Sequence, residues 1–128
     1  MNLLLDTLAF LWFISGDERR SAKARETIEA RDNLCLVSTA SLWEMGIKAG
    51  LGRLTLREPF ETLVPRQMEI NGFDLLHIEI GHIARIISLP TLHRDPFDRM
   101  LAAQCLADEL SIVSCDPAFD PYGVGRIW

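Results

Sequence analysis

Short apolar segments of strand length alternate with longer helix-like segments, and this alternation restricts the fold more than any other feature of the chain. Four strand-length runs are strongly apolar, namely Asn2–Leu5, Leu34–Val37, Phe73–Leu76 and Ile112–Val113, and residues 126–127 are a weaker fifth candidate. Helical patterns with capping and stop residues are predicted over residues 8–14, 21–30, 40–49, 59–70, 80–89 and 96–110. The alternation predicts an α/β sandwich in which helices flank a central, mostly parallel sheet of four to five strands.

Chain length and composition favour one globular domain spanning residues 1–128. With 128 residues, 48% of them hydrophobic, the chain can bury one core but is too short for two. The longest apolar run, Leu8–Ile14, falls well short of the roughly 20 residues of a membrane span, and no basic segment precedes it as in a signal peptide. The three cysteines are widely spaced and form no CxxC motif. A disulfide framework or zinc site is therefore not expected, and a reducing cytoplasm suits the chain.

The formal net charge of −5 at first argues against nucleic acid as a partner, because nucleic-acid-binding proteins usually carry a basic surplus. The charge is unevenly distributed, however. Residues 19–66 hold nine basic and six acidic residues, whereas residues 67–128 hold four basic and nine acidic residues. Eleven of the 13 basic residues are Arg, a side chain suited to phosphate contacts. The stretch 19–66 is thus the better candidate for contacts with a nucleic-acid backbone, and the acidic surplus needs its own explanation.

Two acidic residues directly follow predicted strands. Asp6 ends the first strand and precedes Thr7, and Asp116 follows the strand at 112–113 and precedes Pro117. Each has a local alternative, since Asp6 could cap the following helix and Asp-Pro is an ordinary turn or helix start. Ligands of parallel sheets bind at the carboxyl ends of the strands, so both acids are also placed for chemistry.

Two further acids lie on helix faces that are expected to point inward. Helical periodicity groups Glu44 with Ala40, Trp43 and Ile47. A carboxylate on a core-facing stripe is costly unless it is paired, and the local alternative for Glu44 is an i,i+4 ion pair with Lys48.

Asp98 occupies the first turn of its predicted helix, where the helix dipole favours an acid. Asp95, three residues earlier, is better explained as the N-cap of the same helix, and it could also pair with Arg99. The face that Asp98 shares is otherwise apolar or small, with Leu101, Ala102 and Cys105.

Jointly, these patterns predict four carboxylates that can converge at one edge of a parallel sheet: Asp6, Glu44, Asp98 and Asp116. Four anions within a few ångströms of each other must be neutralised by protons or by divalent cations. Carboxylate-rich sites without a neighbouring His or Cys select hard ions such as Mg²⁺, with Mn²⁺ as a second candidate. Such ions activate water and stabilise charge during displacement at phosphorus.

The chain resembles PIN domains of the VapC toxin type, the ribonuclease half of bacterial and archaeal type II toxin–antitoxin pairs. The matching segments span almost the whole chain; they are Leu4–Thr7, Ser41–Glu44, His93–Arg99 with Ala102–Gln104, and Ser114–Asp116. The resemblance implies a PIN-like three-layer sandwich in which Asp6, Glu44, Asp98 and Asp116 are the catalytic, metal-binding acidic quartet. It also implies that Thr7 and Ser114 are the hydroxyl residues that accompany the quartet. Ser114 stands where the family often has Thr, which keeps the hydroxyl.

The resemblance further implies an activity and partners. One or two Mg²⁺ ions would orient a water and polarise the scissile phosphate of RNA, leaving 5′-phosphate and 3′-hydroxyl ends. Asp6 and Asp98 are the firmest expected ligands, whereas Glu44 and Asp116 could coordinate directly or through water, and one of them could help deprotonate the nucleophile. Arg99 could contact a phosphate or pair with Asp95. The expected partners are tRNA or another structured RNA, a cognate antitoxin, and a second copy of the chain in a homodimer.

Two alternative functions are weighed against this hypothesis. A haloacid-dehalogenase-like phosphatase also has an Asp after its first strand, but it usually needs a second Asp two residues later, where this chain has Leu8. A non-catalytic PIN-fold module that binds RNA or a protein is the other alternative, and the complete quartet argues against it.

Other residues that could bind metal or bases are expected to have structural roles. The three histidines lack metal-ligand spacing, so His93 is expected to cap a helix or lie in a loop, although it could contact RNA. Trp12 and Trp43 have apolar spacing and are expected in the core or an interface rather than stacked on bases.

Overall fold

The computed structural model describes residues 1–128, and a single five-stranded sheet organises them. The strand order is β3-β2-β1-β4-β5, and every neighbouring pair is parallel. The strands are β1 (Asn2–Leu5), β2 (Leu34–Ser38), β3 (Asp74–Leu76), β4 (Ser111–Val113) and β5 (Arg126–Ile127). All five carboxyl ends therefore lie at the same edge of the sheet. The predicted α/β architecture with a parallel sheet is confirmed, including the weaker fifth strand.

Six α-helices and one short 3-10 helix connect the strands. The helices are α1 (Thr7–Ser15), α2 (Ala22–Glu29), α3 (Thr39–Gly50), α4 (Phe60–Asn71), α5 (Ile80–Ser88), α6 (Pro96–Asp108) and the 3-10 helix Pro117–Tyr122. The predicted helix ends agree with these bounds to within two residues. The largest difference is at α6, which ends before Glu109 because that residue adopts a left-handed φ of 55°. None of the helices combines the length and the apolar character that a membrane span requires.

Helices cover both faces of the sheet, and the alternation of side chains along β1 divides the core in two. Leu3 and Leu5 belong to a cluster that includes Phe10 of α1 and Met45 of α3. Leu4 belongs to the opposite cluster, which is built largely from α6 and the 3-10 helix. The three leucines are fully buried. The central strand thus joins two apolar layers, which gives the three-layer sandwich.

The predicted inward face of α3 was right for Ala40 and Glu44 and wrong for Trp43 and Ile47. Trp43 is 63% exposed and Ile47 39% exposed, whereas Ser41 and Met45 are buried beside Ala40 and Glu44. Trp43 instead lies on the surface, with its ring centroid 5.3 Å from that of Phe97.

Trp12 of α1, which was expected in the core or an interface, is half-buried. Leu8 and Ser15 are exposed and Leu11 and Trp12 are half-buried, while Ala9 and Phe10 are buried. Seven of the nine residues of α1 are apolar, so the periodicity alone could not select a face. The direct connection from β1 through the N-cap Asp6 sets the rotation of the helix instead.

A buried polar network holds α5 against α6. The His82 ring is buried, and its Nδ1 accepts a hydrogen bond of 3.0 Å from the Glu79 N–H. Its Nε2 lies 2.8 Å from Asp108 Oδ2, and Gln104 Nε2 lies 3.4 Å from Nδ1. The imidazole thus closes the N-terminus of α5 and links it to the neighbouring helix.

The His82→Ala variant should lose about 1–3 kcal/mol of unfolding free energy, because the buried imidazole leaves a cavity and the buried Gln104 loses its neighbour in the network. Urea or guanidinium denaturation of the metal-free protein measures the loss. His77→Ala is the matched control, since His77 is exposed; its stability should stay within about 0.5 kcal/mol of the parent. Equal stability of the two variants would contradict the role given to the network.

Candidate active site

The four predicted carboxylates come together at the carboxyl edge of the sheet. The ends of the adjacent strands β1 and β4 lead into Asp6 and Asp116, while α3 carries Glu44 and the first turn of α6 carries Asp98. All four line one cavity of about 160 Å³. Its other lining residues are Thr7, Leu8, Lys48, Asp95 and Cys115. Four segments far apart in sequence therefore place acids around a single opening.

Asp6 is buried at the bottom of the β1–α1 connection. Its Oδ1 accepts a hydrogen bond of 2.8 Å from the Ala9 N–H, so it is also the N-cap of α1. Burial raises the pKa of Asp6 to about 6, against the opposing effect of hydrogen bonds from the Ser114 hydroxyl and the Ala9 amide. The charges of Asp116 and Glu44 raise that pKa further. Asp6 thus both caps α1, as the local alternative predicted, and belongs to the carboxylate cluster.

Glu44 is buried with both of its oxygens engaged. Thr7 Oγ1 donates to Oε1 at 2.6 Å, and Lys48 Nζ donates to Oε2 at 2.8 Å. The ion pair predicted as the local alternative is therefore present, and it lies inside the cavity. Thr7 acts on this site by fixing the orientation of the Glu44 carboxylate.

Asp98 and Asp95 have separate roles at the start of α6. Asp95 Oδ1 accepts hydrogen bonds from the N–H groups of Phe97 (2.8 Å) and Asp98 (3.3 Å), which confirms it as the N-cap. Burial raises the pKa of Asp98 to about 7, and the negative charge of Asp95 adds to this effect, whereas His93 opposes it. The predicted pair of Asp95 with Arg99 does not form, because Arg99 Nη1 donates to the Pro90 carbonyl at 2.9 Å.

Asp116 is half-buried and caps the 3-10 helix. Its Oδ1 accepts a hydrogen bond of 2.9 Å from the Ala118 N–H. Its own N–H donates to Ser114 Oγ at 3.0 Å, and Ser114 is fully buried. Ser114 therefore holds the backbone that carries Asp116 and also contributes a hydrogen bond to Asp6.

The sequence profile of the PIN domain family matches residues 3–124 of the chain. The chain belongs to the PIN domain family. Its match covers all four segments that carry the acidic residues. None of the curated proteins compared with this PIN domain gives a significant match.

Solved structures with the same fold include several toxin–antitoxin complexes. VapBC2 from Rickettsia felis, bound to a DNA fragment of its promoter, matches with a TM-score of 0.75 at 15% identity, over 98% of this chain and 97% of that one. DNA-bound VapBC from Salmonella typhimurium matches with a TM-score of 0.71 at 17% identity, over 98% and 96% of the two chains. FitAcB from Neisseria gonorrhoeae matches with a TM-score of 0.66 at 15% identity, over 97% and 95%. At these identities the matches establish the fold of this PIN domain.

His93 is a member of the carboxylate cluster that the sequence did not indicate. It lies in the loop before α6, as expected, but its Nε2 is 3.0 Å from Asp98 Oδ2. One ligand atom from each of His93, Asp98 and Asp116 falls within 4.8 Å of the others. The five-residue separation from Asp98 crosses a loop and a proline, where no helical period fixes the geometry. Only the fold brings this PIN domain's imidazole to the site.

The donor set of this PIN domain fits a divalent cation. Carboxylate oxygens dominate the cavity, and they are the ligands preferred by Mg²⁺ and Mn²⁺. The burial that raises the pKa of Asp6 and Asp98 is unfavourable for the ionised carboxylates, so a cation between them would remove an energetic cost. His93, Asp98 and Asp116 form the compact group that could hold it, and Asp6 and Glu44 line the same cavity.

Proposed function

We propose that this PIN domain is a Mg²⁺-dependent endoribonuclease that acts as the toxin of a type II toxin–antitoxin pair. The convergence of four carboxylates from four chain segments on one cavity carries this proposal. The match to the PIN family and the toxin–antitoxin complexes among the structural matches support it. Residues 1–128 would act as a single domain, since one sheet contains all five strands. Three free cysteines and an RNA substrate both suit the cytoplasm.

Different parts of the fold would orient the four carboxylates. When bound, Mg²⁺ held by Asp6, Glu44, Asp98 and Asp116 would activate a water and stabilise charge on the scissile phosphate. Thr7 and Lys48 orient Glu44, and the start of α1 orients Asp6. Asp116 is less buried than Glu44 and keeps one oxygen outside its capping contact, so it is the better candidate to take a proton from the nucleophile.

The basic stretch 19–66 contributes little positive charge to the lining of the acidic cavity. Several arginines of the stretch 19–66 are already in ion pairs, and these are Arg19 with Asp17, Arg25 with Glu29 and Arg66 with Glu58. Lys48 is the basic residue of this stretch that lines the cavity. Lys48 would therefore be the first basic group that a bound phosphate meets, once its pair with Glu44 loosens.

An apolar groove beside the site suits an antitoxin segment. The outward face of α1 and the segment after α3 enclose a cavity of about 330 Å³, lined by Leu8, Leu11, Trp12, Leu54, Leu56 and Leu63 among others. Leu8 lines both this groove and the acidic cavity. An antitoxin segment lying in the groove could thus extend an Arg to the carboxylates and compete with the cation.

An exposed stripe of isoleucines on α5 suits the proposed homodimer. Ile80 is 87% exposed and Ile87 85% exposed, and Ile83 between them is also exposed. A continuous apolar stripe of this kind on a helix usually marks an interface.

The double variant Ile80→Glu/Ile87→Glu should be monomeric at concentrations where the parent is a dimer, because burying two carboxylates against an apolar partner is strongly unfavourable. Sedimentation velocity or light scattering measures the mass. Ile70→Glu is the matched control, since Ile70 is 68% exposed but lies on α4. If the parent is monomeric, the isoleucines of α5 do not form a dimer interface. If the double variant still dimerises, the interface lies elsewhere.

The proposed function is tested by incubating the purified protein with total cellular RNA, with Mg²⁺ or with a chelator. Cleavage that requires the metal and leaves 5′-phosphate and 3′-hydroxyl ends is the expected result. Mapping those ends also identifies the RNA target. Absence of cleavage together with absence of Mg²⁺ binding would favour the non-catalytic module instead.

A further inference from the structure

Two aromatic rings lie on the surface where α3 and α6 meet. Trp43 of α3 is 63% exposed, and its ring centroid lies 5.3 Å from that of Phe97, which is half-buried on α6. The two rings are edge to face, with an interplanar angle of 77°. Edge-to-face contacts hold aromatic rings in a preferred orientation. The indole of Trp43 is therefore kept in place although most of the residue faces solvent.

Trp43 differs from the other two tryptophans because its surface is free. Trp12 and Trp128 are half-buried and pack against each other with ring centroids 5.7 Å apart. The Arg19 guanidinium lies 5.0 Å from the centroid of the Trp12 ring, whereas neither cation–π contact of the chain involves Trp43. Trp43 is thus outside the core and keeps its π-surface available.

The aromatic pair adjoins the acidic cavity on both helices. Trp43 directly precedes Glu44 and Phe97 directly precedes Asp98, so each ring is one residue away from an acid that lines the cavity. Arg94 lies three residues before Phe97, in the loop that leads into α6. It is exposed, and no ion pair of the chain includes it. An open π-surface and an unpaired guanidinium therefore lie beside the candidate active site.

We propose that Trp43, supported by Phe97, stacks on an unpaired base of single-stranded RNA next to the scissile phosphate. This inference rests on the proposed function, since it concerns the substrate of the same site. Surfaces that bind single strands combine aromatic rings with positive charge, and Arg94 supplies that charge for the phosphates. The bases of a duplex are stacked on one another, so their faces are not open to a side chain. The substrate class is therefore RNA that is unpaired at the cleavage position.

An apolar protein segment is the competing occupant of this surface. Ile47 and Leu51 continue the exposed apolar face of α3 about one and two turns beyond Trp43. A protein docked along α3 would bury all three side chains, whereas a base needs only the aromatic end. The charge of Arg94 favours RNA, because an apolar partner would leave the guanidinium without a counter-charge.

Binding of labelled oligouridylate to the full chain in chelator, followed by fluorescence anisotropy, tests the proposal without cleavage. We expect Trp43→Leu to bind about 5–150-fold more weakly than the parent, the range for loss of one stacked base, and Trp43→Phe to stay within about threefold. Leu51→Ala is the matched control, since Leu51 is also 63% exposed on the same helix face; its affinity should equal that of the parent. Binding of an RNA duplex, which uses phosphates alone, should be the same in all variants.

Two further readouts distinguish stacking from a structural effect. Oligouridylate should quench the tryptophan fluorescence of the parent but not that of Trp43→Phe, which still binds. The melting temperatures of the variants in chelator should match the parent, because Trp43 lies outside the core.

Several outcomes would overturn the proposal. These are a parent that does not bind oligouridylate or binds the duplex as tightly, equal affinities of Trp43→Leu and the parent, and equal weakening in Trp43→Leu and Leu51→Ala. If Trp43→Leu keeps its RNA affinity but has a lower mass in sedimentation velocity, the surface is an interface between copies of the chain instead.

Cleavage kinetics separate failure of this inference from failure of the proposed function. With Mg²⁺ and the RNA identified by end mapping, Trp43→Leu should raise KM and leave kcat nearly unchanged, because the ring binds substrate away from the reacting atoms. If the parent cleaves RNA and Trp43→Leu has the same KM, the ribonuclease stands and only the role of Trp43 is lost. If the parent cleaves no RNA but Trp43→Leu weakens oligouridylate binding, the stacking surface stands and the proposed catalysis fails.

Discussion

Replacing Asp6 or Asp98 by Asn should lower the rate of metal-dependent RNA cleavage by at least about a hundredfold. Each substitution removes one negative oxygen from a site where a cation is expected to supply several kcal/mol of charge stabilisation, and about 1.4 kcal/mol corresponds to a factor of ten in rate. Single-turnover cleavage of the RNA identified by end mapping measures the effect. Metal-dependent cleavage that survives in both variants would exclude these residues from the site.

The folding stability of the metal-free protein should not fall in the Asp6→Asn and Asp98→Asn variants, although their cleavage activity does. Burial raises the pKa of Asp6, so the ionised carboxylate is a cost to the metal-free fold near neutral pH. Asn removes that charge and caps a helix about as well as Asp. The metal-free variants should therefore unfold at the same temperature as the parent or higher. Asp74→Asn is the matched control, since Asp74 is exposed on β3; both its activity and its stability should stay unchanged.

For several residues the predicted local role, as a helix cap or in an ion pair, was correct. That role did not exclude a place in the candidate site. Asp6 caps α1 and Glu44 pairs with Lys48, as the local alternatives predicted, and both also line the cavity. Capping and pairing fix a carboxylate in one orientation, which a preorganised site requires. At a strand end or a first helical turn, a structural explanation therefore does not count against a functional one.

The features that could be predicted from sequence depend on short-range rules. Asp6 and Asp116 could be placed at one edge of the sheet because both follow parallel strands, whose carboxyl ends share that edge. Asp98 could be placed in the first turn of a helix because Asp95 begins that helix. These rules place acids by element type and need no knowledge of packing.

The features that could not be predicted depend on tertiary packing. Trp43 was expected in the core or an interface and lies outside the core, because the neighbours of α3 select its buried face. The possible pair of Arg99 with Asp95 does not form, because a loop carbonyl takes the Arg99 guanidinium. His93 reaches Asp98 through the path of a loop that no periodicity describes. Each case is decided by contacts between segments that are remote in sequence.

Without metal, the protein should become less stable as the pH rises from about 4 to about 8. Burial raises the pKa of Asp6 to about 6 and that of Asp98 to about 7, above the ordinary aspartate value of 3.8, so the folded state binds these protons more tightly than the unfolded state. The stabilisation is fully present below the unfolded pKa and is lost as the pH rises through the folded values. Thermal unfolding in chelator across this range measures the slope, and Asp6→Asn/Asp98→Asn should flatten it.

Divalent cations should reverse this trend, because they bind the ionised carboxylates and compete with protons. At about pH 8, Mg²⁺ or Mn²⁺ at a hundred times its dissociation constant should stabilise the fold by about 2.7 kcal/mol, which corresponds to a rise in melting temperature of roughly 10 °C. At about pH 5 the same concentration should have little effect, since the metal must displace protons from both carboxylates. A cation-induced shift that is independent of pH, or that persists in Asp6→Asn/Asp98→Asn, would place the bound ion outside this cluster.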